Sequence, residues 1–151
     1  MVVALVLVGL IEEHCPEKED NPEYWNLKGL SEDLVKIFLL RVEFKEEDLP
    51  RITRESLREN ILKVVMDIYN KKEEAYGDEI MRQLERYAVL STIDRHWRDH
   101  LQEMDELRAG IGLRAYHGGM GKPIDIYKRE AFAIFEKMVQ QADREIVNLV
   151  Y

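Results

Sequence analysis

Two histidines stand four residues apart near the middle of the chain, a spacing that lets side chains on one helical face share a metal ion. His96 and His100 flank Trp97, which occupies the position where the zinc-protease pattern requires a glutamate. Glu103 is the one further ligand at helical spacing, and neighbouring arginines oppose a bound cation. We therefore expect no metal site, and a histidine-based metal enzyme is kept as one alternative.

The chain lacks the residue patterns that are usual for nucleophilic catalysis and for phosphate binding. The single cysteine, Cys15, has no base at a catalytic spacing, and we expect it to be an apolar residue at a helix end. The chain has neither a G-x-x-x-x-G-K-[ST] loop nor a G-x-G-x-x-G turn after a strand. We expect these residues to hold no cofactor and to have no enzymatic activity alone.

Two aromatic side chains invite different expectations. Trp97 lies within a long apolar pattern, which favours a core anchor where helices cross. Tyr116 stands beside the glycine-rich run HGGMGKP at 117–123 and has few apolar neighbours. We expect Tyr116 to be exposed and to contact another chain. A tyrosine folded back against its own helices is the alternative.

Charge is distributed unevenly along the 151 residues, which carry a net charge of -8. This net charge argues against a general nucleic-acid binder. Residues 1–50 contain 12 acids and 5 bases. Between residues 108 and 129, Asp125 is the one acid among five bases: Arg108, Arg114, Lys122, Lys128 and Arg129. The sequence therefore predicts an acidic body with one basic segment, suited to acidic or phosphate-bearing surfaces.

The elements that would position these residues are helices. Apolar residues recur every three or four positions from Asp78, which predicts a helix of about 34 residues that loosens at Gly110 and Gly112. A second helix follows the glycine-rich run, and so short a connection predicts an antiparallel hairpin. The apolar stripe of the first hairpin helix is predicted to contain Ile80, Leu84, Tyr87, Leu90, Ile93, Trp97, Leu101, Met104, Leu107 and Ile111.

Shorter helices are predicted before the hairpin. Val2–Ile11 is apolar but far below the roughly 18–20 residues that cross a bilayer. It lacks the features of a secretory signal, so we expect a buried helix that ends before Pro16, or one whose partner lies outside this chain. A second helix is expected over about 29–40 with Ser31 as a possible cap, and a third after Thr53. Residues 42–50 are expected to form a connector with a short strand at most.

These motifs resemble the SecA family, the bacterial motors that drive preproteins through the SecY channel. The run LSTIDRHWRDHLQEMDELRAGIGLRAY at 90–116 resembles the family's helical scaffold, and YKREAF at 127–132 resembles the second helix of its two-helix finger. Upstream, PEYWNL at 22–27 and the segment 57–73 are similar to its helical wing. Ala115 and Ala131 depart from the glycine and serine that the family usually has, and the tip is longer.

The resemblance implies an all-α fold made of a helical wing subdomain and a long antiparallel two-helix hairpin. It places the end of a scaffold helix and the wing in residues 1–81, and the finger in residues 82–151 with its tip at about 115–123. The implied polypeptide-contact residues of the fingertip are Tyr116, His117 and Lys122, and the implied basic tip consists of Arg114, Lys128 and Arg129. The implied structural residues are Asp94, Trp97, His100 and Arg108.

The resemblance also implies partners and a location. The partners would be the SecY channel, the translocating preprotein and the parent's nucleotide-binding domains, with an acidic phospholipid surface as a further candidate. ATP and magnesium would bind regions outside these residues. The implied location is the bacterial cytoplasm and the cytoplasmic face of the inner membrane. The alternative function is a stand-alone helical adaptor that binds a partner helix between finger and wing.

Overall fold

The structure, a computed structural model, describes residues 2–19, 21–45, 47–118 and 122–151, without the side chains of residues 114, 115, 117 and 118. Within these ranges the chain forms helices and no β-strand, so the predicted all-α class is confirmed. The α-helices are α1 (Val2–His14), α2 (Leu27–Phe38), α3 (Arg54–Tyr76), α4 (Asp78–Gly118) and α5 (Pro123–Val150).

The apolar start of the chain is a buried helix, as predicted. α1 buries Val6, Leu7, Leu10 and Ile11, and burial of each such side chain contributes roughly 1.5–3 kcal/mol. Cys15 follows the helix and is fully buried too. In the described part of the chain, no helix is both long enough and apolar enough to cross a membrane.

α2 begins two residues earlier than predicted because Asn26, not Ser31, is its N-cap. The Asn26 side-chain oxygen accepts a hydrogen bond from the Gly29 N–H at 3.0 Å. Ser31 instead donates its hydroxyl to the Val42 carbonyl at 2.6 Å, which ties the following connector to the helix. The helix ends where Leu39 adopts a left-handed φ of 53°.

α3 begins at the predicted cap. Thr53 Oγ1 accepts a hydrogen bond from the Ser56 N–H, and the Ser56 hydroxyl oxygen accepts one from the Thr53 N–H, at 3.1 and 2.9 Å. This reciprocal capping box satisfies two donors that the first helical turn leaves unpaired. One stripe of α3 buries Leu57, Ile61 and Val65.

α4 is longer than the sequence predicts. The helix continues through Gly110 and Gly112 and reaches Gly118, a length of 41 residues. Inside a helix, a glycine costs about 1 kcal/mol of stability relative to alanine. This cost is small compared with the stabilisation from the backbone hydrogen bonds of the adjacent turns. α5 begins at Pro123, whose missing N–H is harmless in a first helical turn.

The chain divides into two compact units, which we call the first unit (Met1–Ala88 with Asp143–Tyr151) and the second unit (Val89–Ala142). The main core of the first unit lies where α1, α2 and α3 pack together, and its most buried members include Leu10, Leu30, Leu34 and Val65. The second unit holds most of the α4–α5 hairpin. The boundary between residues 81 and 82 was predicted from the resemblance to the family's wing and finger, and it stays a prediction.

Candidate functional site

Tyr116 lies in the last turn of α4, two residues before the helix ends at Gly118. Its side chain is 86% exposed, so the predicted exposure is confirmed. A tyrosine in this position presents an apolar ring together with a polar hydroxyl, a combination enriched at protein contact surfaces.

Basic residues predicted for the tip are placed in part. Lys122 precedes α5, and Lys128 and Arg129 lie in its first two turns with all three side chains exposed. The side chains of Arg114 and His117, and residues 119–121 of the predicted tip, lie outside the described part of the structure. The described bases can meet a negatively charged surface without losing much hydration.

A line of large apolar side chains is exposed on the second unit, and we call it the hairpin stripe. Its α4 members are spaced three and four residues apart, as neighbours on one helical face are. The exposed fractions of its members range from 38% to 63%. The hairpin stripe consists of Leu90, Ile93, Trp97 and Leu101 on α4 and Phe132, Phe135 and Val139 on α5.

Trp97 is not the buried anchor that the sequence predicts, because its side chain is 48% exposed. His100, three residues later and therefore about 60° around the helix, occupies the buried position instead. The prediction failed because the periodicity of an apolar stripe does not reveal whether this chain or a partner covers it. The buried line of α4 is Met81, Ala88, Thr92, His100 and Leu107.

His100 forms the aromatic centre of the hairpin. It is 7% exposed, and its ring centroid lies 5.4 Å from that of Trp97 and 5.8 Å from that of Phe135 on α5. The His100 Nδ1 atom and the Thr92 hydroxyl are buried without a hydrogen-bond partner. A buried polar group without a partner costs about 1–3 kcal/mol.

The histidine pair does not extend to a fuller ligand set. Among the described residues, no three histidine, cysteine, aspartate or glutamate side chains lie together where a metal ion could be held. His100 points its ring at aromatic side chains rather than at carboxylates. We therefore derive no metal chemistry from this pair.

The remaining predicted structural residues form local ion pairs on α4. Asp94 accepts from Arg98 at 2.6 Å, and Asp105 lies 3.8 Å from Arg108. The two pairs have the i,i+4 and i,i+3 spacings at which opposite charges meet on one face of a helix. All four side chains are more than 70% exposed, so each pair contributes roughly 0–1 kcal/mol.

An apolar groove of about 300 Å³ lies in the first unit beside α3, and the sequence analysis missed it. Leu40, Val42 and Phe44 turn into the groove while the residues between them are exposed, and Val64 lines it from α3. This alternation within the acidic connector was the available signal. Asp48 adds one carboxylate to the lining.

The comparison with protein families decides the kinship of the chain. A family model described as the SecA Wing and Scaffold domain matches residues 1–151. The chain belongs to this SecA family. The resemblance inferred from the scaffold and wing motifs is thereby confirmed.

Several SecA proteins are similar to the chain along nearly all of it. The protein translocase subunit SecA of Syntrophobacter fumaroxidans is 35% identical over 146 residues, which cover 97% of this chain and 17% of that protein. The SecA subunit of Carboxydothermus hydrogenoformans is 37% identical over 147 residues, or 97% and 16% of the two chains. For Desulforamulus reducens the values are 34% over 149 residues, 99% and 17%. The chain thus spans about a sixth of these SecA relatives.

Proposed function

We propose that this chain is the non-catalytic wing and finger of a SecA protein-translocation motor. In this proposal residues 1–81 comprise the end of a scaffold helix and the wing, and residues 82–151 form the finger. Its tip contacts the SecY channel and the translocating preprotein. The observation that carries the proposal is the exposed Tyr116 at the end of a 41-residue helix in a chain of the SecA wing and scaffold family.

The physical basis is a contact surface that tolerates many sequences. A preprotein offers a different side chain at each step, so a shaped pocket would reject most of them, whereas an exposed ring accepts them. His117 directly follows Tyr116 and Lys122 comes six residues after it, and both are proposed to share the contact. Close packing within a hairpin resists bending, which lets it transmit a push.

The test places this segment in an intact motor. Residues 1–151 replace the matching segment of the Syntrophobacter fumaroxidans SecA, and preprotein transport into vesicles that contain the SecY channel is measured. We expect Tyr116→Ala to lower the transport rate several-fold and Tyr116→Phe to retain most of it. Tyr87→Ala is the matched control, because Tyr87 is an exposed tyrosine of α4 far along the helix. Unchanged transport with Tyr116→Ala would refute the proposed contact.

The hairpin stripe supports a second part of the proposal, that the finger also restrains the ATPase of the parent. Exposed apolar surface of this extent is typical of a face covered by another domain, and the parent's nucleotide-binding domains are the proposed cover. ATP and magnesium would bind those domains, not this chain. In the intact motor, Trp97→Ala is expected to raise ATP hydrolysis in the absence of preprotein. An unaltered basal rate would count against the restraint.

A peripheral location at the cytoplasmic face of the inner membrane is proposed from the same kinship. The exposed Lys122, Lys128 and Arg129 support it, because each base near an anionic lipid surface contributes about 1 kcal/mol. Flotation of the intact motor with vesicles of acidic phospholipid is expected to weaken in Lys128→Gln/Arg129→Gln. Equal flotation of the variant and the parent would exclude these bases as the lipid contact.

The groove beside α3 favours one alternative, a helical adaptor that binds an apolar segment of another protein. Val64 narrows the groove from α3, so Val64→Glu would put a charge into its apolar lining. The adaptor function predicts that this change abolishes capture of a partner while transport by the chimeric motor stays normal. The translocation function predicts no such partner.

A further inference from the structure

α3 and α4 meet at one residue, and that residue does not by itself fix their angle. Gly77 has a φ of 85° and a ψ of 152°, a conformation that only glycine adopts readily. The position that a Cβ atom would occupy on Gly77 is open space, so no neighbouring side chain packs against this residue there. Helices of 23 and 41 residues are thus joined through a single glycine, whose backbone is hydrogen-bonded to Glu73 on α3 and to Met81 on α4.

A polar cluster crosses the corner a short distance from Gly77. The guanidinium of Arg82 on α4 donates to the Tyr69 hydroxyl and to the Glu73 carboxylate on α3. It also lies 3.1 Å from the Glu85 carboxylate on its own helix. The Tyr69 hydroxyl in turn donates to Glu85, which closes a ring of contacts through both helices.

The four residues of this polar cluster are placed so that their contacts can hold the two helices at a fixed angle. Glu73 lies about one helical turn before Gly77, and Tyr69 lies about two turns before it. Arg82 and Glu85 lie about one and two turns after it. A guanidinium offers several donors in a fixed planar fork, so one arginine can hold two acceptors on the opposite helix at a defined direction. Charge-assisted bonds of this kind are stronger than neutral ones.

The same part of α3 holds the end of α5. Lys72 donates its ammonium protons to the Val150 and Tyr151 carbonyls at 2.6 and 3.1 Å. The Tyr151 ring lies 6.3 Å from the Tyr69 ring, centroid to centroid. Residues 69–73 of α3 therefore contact both the first turns of α4 and the last turn of α5, all within the first unit.

We propose that Arg82 is a positioning residue that sets the angle between α3 and α4 at the Gly77 corner. Tyr69, Glu73 and Glu85 are the groups through which it acts. Within the proposed function, this angle sets how the base of the finger is mounted on the wing. That consequence rests on the proposed function, whereas the angle itself belongs to the chain and is measured on it.

The test measures the angle as a distance between two spin labels. Cysteines introduced by Lys63→Cys on α3 and Arg86→Cys on α4 carry the labels in a Cys15→Ala background, and pulsed electron paramagnetic resonance gives the distance distribution. Arg82→Gln is expected to broaden the distribution or to shift its mean while the far-ultraviolet circular dichroism stays unchanged. Arg98→Gln is the matched control, since Arg98 is also an exposed, ion-paired arginine of α4.

Partial rescue separates positioning from a general effect on folding. Arg82→Lys keeps the charge but loses the planar fork, so its distribution should lie between those of the parent and Arg82→Gln. If Arg82→Gln does not fold, Glu73→Gln is measured instead and must produce the same broadening. A distribution for Arg82→Gln, or for Glu73→Gln in its place, that coincides with the Arg98→Gln control overturns the proposal. This outcome is independent of whether Tyr116 contacts a preprotein.

Discussion

Equivalent side chains have opposite surroundings in the two units. In the first unit, Leu30 and Leu34 of α2 are wholly buried against α1 and α3. In the second unit, Leu90 and Trp97 are about half exposed, while the polar Thr92 and His100 are buried. Most of the buried apolar side chains of the described residues belong to the first unit, whereas the second unit buries few of its own.

This difference indicates which region depends on other domains. A unit with a large buried aliphatic core gains most of its stability from burial inside the chain. A hairpin with an exposed apolar stripe gains less from burial inside the chain, and a covering partner would supply the remainder.

The largest expected effect comes from a matched pair of leucines. Leu34→Ala is expected to lower the free energy of unfolding by about 2–5 kcal/mol, because it leaves a cavity in a closed core. Leu90→Ala is expected to change it by only about 0.5 kcal/mol, because the side chain is 63% exposed. Urea unfolding followed by circular dichroism measures both. Equal losses would remove the contrast between the units.

Alkaline pH should weaken the first unit through Cys15. Burial raises the pKa of this thiol from its ordinary value of 9.0 to about 11, an effect that the nearby Arg54 only partly opposes. The stability contributed by the protonated thiol is complete below pH 9 and is lost as pH rises towards 11, by about 2–3 kcal/mol in total.

The measurement is unfolding at fixed pH values from 8 to 10, since Tyr69 and Tyr151 affect stability at higher pH. Burial raises the pKa of both phenols to about 12. In Cys15→Ala the decline between pH 8 and 10 should disappear, although the variant is less stable throughout. If the stability of Cys15→Ala still declines by the same amount between pH 8 and 10, the decline is caused by another titrating group.

The cap of α3 should matter moderately. Thr53→Ala removes the side-chain acceptor of a reciprocal pair and should cost about 1 kcal/mol, because an N–H of the first turn loses its partner. Thr53→Asn, which restores an acceptor, is the control. Thermal unfolding of the three proteins provides the comparison, and equal stability of Thr53→Ala and the parent would contradict a structural role for the cap.

The smallest effect is expected on the second unit. Asp94→Asn breaks the pair with Arg98, which is exposed and within one helix, so stability should fall by no more than about 0.5 kcal/mol. The loss should shrink further in 1 M salt, where exposed charges are screened. A loss above 2 kcal/mol would show that Asp94 has a partner beyond α4.

Much of the fold could be predicted because its signals are local. Pro16, the Thr53 cap and the apolar period after Asp78 predicted where helices begin or end. Two predictions about helix ends were wrong. Asn26, not Ser31, caps α2, and α4 continues past Gly112. The apolar periodicity predicted α4 correctly but predicted that Trp97 is buried. That prediction was wrong because periodicity does not show whether this chain or a partner covers an apolar side chain.

The sequence by itself predicted that the chain is helical, that its scaffold motif resembles the SecA family and that Tyr116 is exposed, and all three predictions are confirmed. These conclusions depend on residue order and on short-range sterics. Only the tertiary structure revealed that His100 is buried, that the hairpin stripe is uncovered and that Arg82 joins α3 to α4. Those facts depend on contacts between residues distant in sequence, and no local pattern specifies them.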